Sequence, residues 1–137
     1  MSVLSIPGII RGGQTEKYGE GGRAASFTVG AAQAATGGLL LESMAGDRIV
    51  RTTQASSMIC IAFAIHDAAA AAQVVGAMEG VWMLTASAAV TAGNKVITSA
   101  TAGQVAVAGV APDARAVVGR ALQDIGAAGT GAVKLTL

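Results

Sequence analysis

His66 is the only histidine and Cys60 the only cysteine in the 137-residue chain, so acid–base, nucleophilic or metal chemistry would have to run through them or through eight scattered carboxylates. A hydrolytic triad needs a serine, a histidine and a carboxylate that orients the ring through space. Asp67 follows His66 directly, too close along the chain for that role, and no serine stands in a Gly-x-Ser-x-Gly setting. One His and one Cys give no ligand cluster at a recognised metal spacing, and nothing selects two of the acids as a glycosidase pair. Phosphate binding needs a glycine-rich loop ending in Gly-Lys-Ser/Thr. The chain has no Gly-Lys pair, and Gly93-Asn94-Lys95 reads as a turn before a strand. Cys60, flanked by Met58, Ile59 and Ile61, reads as a buried small hydrophobe. The expectation is a protein that is not an enzyme, with no catalytic, cofactor-binding or metal residues.

Two residues point to contact rather than catalysis. Trp82, beside Met83 and Leu84, is the largest apolar side chain; it serves either core packing or a subunit interface, where Trp is enriched among hot spots. Arg120 shares a strand face with Val118 and Leu122. Its stem can pack there while the guanidinium either pairs with a carboxylate of another subunit or lies on a solvated edge.

The elements that must carry these residues are short. Nineteen glycines and 3% aromatics, against 53% apolar residues rich in alanine, favour tight turns and a core with few large anchors. Association with other chains would add burial that a monomer lacks. Nine Lys and Arg are interspersed with eight Asp and Glu, which disfavours a nucleic-acid partner. The start MSVLSIPGII has no basic n-region, and the uncharged stretch 96–112 is interrupted by Thr98, Ser99, Thr101, Gln104 and two glycines. Neither a signal peptide nor a membrane partner is expected.

From Leu39 onward, apolar segments of strand length alternate with Gly, Asn, Asp and Ser. The pattern predicts strands near 39–43, 48–53, 58–65, 74–84, 95–98, 104–108, 116–123 and 132–137. Alternation is cleanest in Val133, Leu135 and Leu137 against Lys134 and Thr136. In 58–65, Ile61, Phe63 and Ile65 alternate with Cys60, Ala62 and Ala64, a small face suited to close packing by another layer. Asp67 to Gln73 is either a short alanine helix capped by Asp67 or a surface turn.

An internal repeat emerges with the glycine turns as anchors. Ala45-Gly46-Asp47-Arg48-Ile49-Val50 matches Ala92-Gly93-Asn94-Lys95-Val96-Ile97, and Ile61 to Asp67 matches Val118 to Asp124, which places Arg120 opposite Phe63. The second copy then carries about ten extra residues around Ala106 to Arg115. The predicted fold class is all-β: a small clip-like β-barrel built from two related β units. Residues 1–38, with glycines at 8, 12, 13, 19, 21, 22, 30, 37 and 38, read as an extended Gly-rich N-terminal arm preceding a β-rich domain at 39–137.

The second half resembles the capsid cement, or head decoration, proteins of tailed phages, a family also labelled predicted phage recombinases. The resemblance rests on Glu79-Gly80-Val81-Trp82, Thr91-Ala92-Gly93-Asn94-Lys95-Val96, Val118-Gly119-Arg120-Ala121-Leu122 and Val133-Lys134-Leu135, and covers about residues 45–137. It implies a virion protein on the outer capsid surface that binds the major capsid protein and bridges capsomers as a homotrimer. A tail or baseplate module, or a small maturation protease using His66, are the alternatives. On this reading the arm grips the capsid, with Ile6, Pro7, Ile9, Ile10 and Tyr18 as anchors and Arg11, Lys17 and Arg23 pairing with capsid carboxylates, while Trp82 and Arg120 face neighbouring subunits.

Overall fold

The computed structural model describes residues 19–20, 23–109 and 112–137. The described strands are β1 (Gly19–Glu20), β2 (Ala24–Val29), β3 (Leu40–Met44), β4 (Ile49–Thr52), β5 (Cys60–Ala64), β6 (Gln73–Ala77), β7 (Glu79–Thr85), β8 (Lys95–Thr98), β9 (Val105–Val107), β10 (Val117–Ala121) and β11 (Thr130–Thr136), with a turn of 3₁₀ helix at Ala114–Ala116. The fold is all-β. Strands β2-β4-β3-β5-β6 close into a barrel, and β1-β7-β11-β10-β8-β9 form a six-stranded sheet.

Most strands stand where the alternation predicts them, two segments differ, and one open choice is decided. The 74–84 run is two strands in separate sheets, joined at Met78, whose N–H donates to the Arg23 carbonyl at 2.8 Å. Of the two readings of Asp67 to Gln73 the turn is the one present; it runs to Ala72, and Gln73 opens β6. There Asp67 Oδ1 accepts the Gly37 N–H at 2.7 Å and Ala71 sits at φ 63°, outside right-handed helix geometry. Ala24–Val29, inside the segment read as an arm, is a barrel strand antiparallel to β6, with Phe27 and Val29 in the core. Small and polar neighbours dilute its apolar signal. Residues 1–18 lie outside the described residues.

The repeat is architectural. Unit one (β2–β6) and unit two (β7–β11) share one cyclic strand order, with β2 corresponding to β7, β3 to β8, β4 to β9, β5 to β10 and β6 to β11. Unit one is closed by parallel pairing of Thr28 with Ile49 and Val29 with Val50. In unit two the same closure shrinks to a single parallel bridge, Ala86 to Val105. The irregularities coincide as well. The strand pairing slips past Ile61 in β5 and past Val118 in β10. Gly38 and Gly93 have φ 91° and 90°, Ala71 and Ala128 have φ 63° and 59°, and Asp67 and Asp124 each accept a loop N–H, from Gly37 and Ala92.

These correspondences keep the match of Ile61–Asp67 with Val118–Asp124 and correct its other half. Gly93 corresponds to Gly38, at the entry to β3, and not to Gly46 in the β3–β4 hairpin. Both turns are rich in Ala and Gly, so residue identity could not separate them. The insertion of ten residues disappears with that correction: Val50 corresponds to Val105 and Ile61 to Val118, which leaves the second connection two residues longer.

Two buried clusters follow. One fills the first barrel with Phe27, Val29, Leu41, Val50, Ala62, Ala64 and Val74. Ala62 and Ala64 of β5 therefore point into the barrel, where they make room for Phe27, while beyond the slip in pairing Ile61 packs on this cluster and Cys60 on the other; a Cβ on Gly76 would lie 2.7 Å from Ala62 Cβ and 3.1 Å from the Phe27 ring. The other cluster joins Trp82, Leu84, Val96, Val118, Val133 and Leu135 of unit two to Leu40, Phe63 and Ala77 of unit one. Strands β3 and β5 are thus apolar on both faces, as strands between two packed layers must be. A polar seam completes the junction. The Gly103 N–H donates to Thr53 Oγ1 at 2.9 Å, and its carbonyl accepts the Leu40 N–H at 3.1 Å. With φ +76° and Leu39 Cβ 2.9 Å from where its own Cβ would stand, Gly103 has no room for a side chain.

Candidate functional site

Residues directly opposite each other on neighbouring antiparallel strands share a face, with Cβ atoms about 4.5–5.5 Å apart. In unit two Arg120 of β10 stands opposite Lys95 of β8 on one side and Lys134 of β11 on the other. Three cations from distant parts of the chain therefore form one row across three strands. All three are exposed. Ion pairs among the described residues are Arg23–Glu79, Arg51–Glu42 and Arg115–Asp113, and none involves the row. Arg120 is steadied from below, its Nη1 donating to the Gly93 carbonyl at 2.5 Å. An open groove of about 380 Å³ runs from Lys95 and Arg120 along Gly93, Asn94, Ala108, Gly109 and Pro112.

The corresponding row in unit one is Leu40, Phe63 and Ala77, cross-strand neighbours in the same way and fully buried. That row is the surface by which unit one packs on unit two, with the Phe63 and Trp82 ring centroids 5.8 Å apart. Unit two carries cations where unit one carries its docking face. Nearby on the same face, Leu122, 49% exposed, corresponds to Ile65, which packs against the second cluster, whereas Val107, 41% exposed, stands opposite the buried Val96 and so faces the other way. The sequence shows interspersed charge and no basic footprint; only the strand register gathers these cations.

The other candidates have structural employment or lie outside view. Trp82 is 2% exposed, donates its indole N–H to the Glu79 carbonyl at 2.7 Å, and packs within the chain between the two units. Arg23 pairs with Glu79 at 3.1 Å, both well exposed. Ile6, Pro7, Ile9, Ile10, Arg11, Lys17 and Tyr18 lie outside the described residues. His66 Nε2 accepts the Val75 N–H at 3.0 Å and its Nδ1 lies 2.9 Å from the Asp67 carbonyl. Those two contacts fit a neutral ring with its proton on Nδ1, bonded to backbone at both nitrogens. Burial pushes the Cys60 thiol up to about 12. Among the described residues no group of three His, Cys, Asp or Glu could hold a metal ion.

One buried charge escapes sequence reasoning. Glu42 of β3 is 2% exposed; its Oε2 accepts from Arg51 Nε at 2.7 Å and its Oε1 from the Gln54 N–H at 3.0 Å. Burial is the largest single influence and raises its pKa, but the Gln54 amide, the Ser57 hydroxyl and Arg51 together hold it below the ordinary 4.5. Alternation breaks at this point because the β3–β5 pairing shifts between Leu41 and Glu42, which turns Glu42 inward.

No protein-family model matches the chain, and no curated protein does. Among solved structures, the N-terminal base of the head fibre gp8.5 of bacteriophage phi29 is similar with a TM-score of 0.61, at 20% identity, over 82% of this chain and 93% of that one. The likeness establishes a shared fold.

Proposed function

We propose that the chain is a structural, non-enzymatic protein of a phage virion, bound to the outer surface of the capsid and stabilising it by bridging capsomers. The observation that carries this reading is the fold shared with a head-fibre base over most of both chains. The sequence resemblance to capsid cement proteins points the same way. A nucleotide-driven recombination role has no support in the Gly93 turn, which leads into a strand.

The mechanism is mechanical. Contacts that are individually modest, repeated over many subunits, act together against the outward pressure of packaged DNA. A homotrimer suits the threefold positions of a hexagonal lattice, and the segment before β1 supplies a further grip on the major capsid protein by adding main-chain hydrogen bonds to a sheet edge. Quantitative mass spectrometry of purified virions tests the placement. A cement protein is present in hundreds of copies per particle, whereas a count of a dozen or fewer would assign it to the tail or baseplate.

A further inference from the structure

We infer that the outward face of unit two, centred on Lys95, Arg120 and Lys134 and flanked by Leu122, is a docking face for an acidic protein surface. Two observations carry this. The first is continuity with an established interface. The corresponding positions in unit one, Leu40, Phe63, Ala77 and Ile65, lie at the junction with unit two. The repeat thus presents the same face twice, once covered and once open.

The second is charge. Like charges directly opposite on neighbouring strands repel, and Lys95, Arg120 and Lys134 have no carboxylate partner among the described residues. Of the neighbouring carboxylates, Glu79 is diagonal to Lys134 and already held by Arg23, while Glu20 stands at the far end of the same row, separated from Lys134 by Val81. A solvated cap on a terminal repeat needs only polar side chains, and neutral or mixed ones would serve without repulsion. Carboxylates from a partner remove that repulsion while Leu122 gains cover. Three cations in one row neutralise too few phosphates for firm nucleic-acid binding, and the tryptophan that could stack on a base is buried. The exposed acids Asp47, Asp67, Asp113 and Asp124 lie on separate turns and Glu79 is held by Arg23, so these acids of a second copy form no matching row. The partner is a different chain; in the capsid reading, on which this identification rests, it is the capsid surface.

The test uses the full chain, the double variant Lys95→Gln/Lys134→Gln, and Arg48→Glu, which changes net charge equally but lies in the β3–β4 turn. Circular dichroism and melting first establish that all three fold alike. Binding is then measured to poly-L-glutamate, to a 20-base-pair DNA duplex, and to heads assembled without this protein. The expected result is salt-sensitive binding to polyglutamate and to heads, weakened about tenfold or more in the double variant and less than about twofold in Arg48→Glu. Wild-type binding to heads that the double variant matches overturns the docking face and leaves the capsid reading standing. Row-dependent binding to polyglutamate with no binding to heads does the reverse. Loss of DNA binding alone in the double variant, or of an ordered self-association, assigns the face to nucleic acid or to a second copy and overturns the inference.

Discussion

Truncating Phe63 to alanine tests whether the two units form one cooperative body. The side chain is fully buried, and it lies between units rather than inside either one, its ring 5.8 Å from that of Trp82. Removing a buried Phe costs about 3–5 kcal/mol, since the transfer free energy is lost and a cavity remains. With an m-value of about 2 kcal/mol per M urea, a loss of about 4 kcal/mol lowers the unfolding midpoint by about 2 M. Trp82 is the only tryptophan, so its fluorescence reports the junction while far-UV circular dichroism reports both sheets. In the wild type the two probes should move together in one transition. In Phe63→Ala the midpoint should drop as stated, while Phe63→Leu should lose much less. A cost below about 1 kcal/mol in Phe63→Ala would refute the junction as described.

Three further outcomes follow from the same geometry. A Cβ at Gly119 would fall on the Lys134 carbonyl oxygen, whereas one at Gly126 meets nothing within 4 Å; Gly119→Ala should abolish soluble expression or cost several kcal/mol by thermal melting, and Gly126→Ala should stay within about 0.5 kcal/mol. Because the folded-state pKa of Glu42 is depressed, its stabilisation is complete above the ordinary value of 4.5 and fades as pH falls through the lower folded value. Urea midpoints measured down a pH series should therefore decline in the acid range, and Glu42→Gln should be less stable at neutral pH and decline less. With its thiol raised to about 12, Cys60 should react with a thiol reagent at pH 8 at least ~100-fold more slowly in native protein than in urea, where the ordinary pKa of about 8.5 returns.

Much of the fold is legible in the sequence because alternation survives where one strand face is buried, as in Val133, Lys134 and Leu135. It fails where both faces are buried or where small residues do the packing. Ala24–Val29 has only Phe27 and Val29 to mark its inward side, so it hides among glycines. Met78 carries no turn signal, yet there the chain passes from one sheet to the other. Half of the repeat is legible from Ile61–Asp67 and Val118–Asp124, and with it the substitution of Phe63 by Arg120. The row around Arg120 is not, because Lys95 and Lys134 join it only through cross-strand register. Glu42 is hidden by a local shift in pairing that no composition rule anticipates.

The position on the outer capsid surface is open to imaging. Heads assembled without this protein, alone and after addition of the purified chain, can be reconstructed by electron cryomicroscopy and then heated to follow DNA release. The capsid reading predicts added density at regular positions on the outer surface, spanning the joints between capsomers, together with a higher temperature of DNA release. Heads that gain no density and release DNA at the same temperature would contradict it.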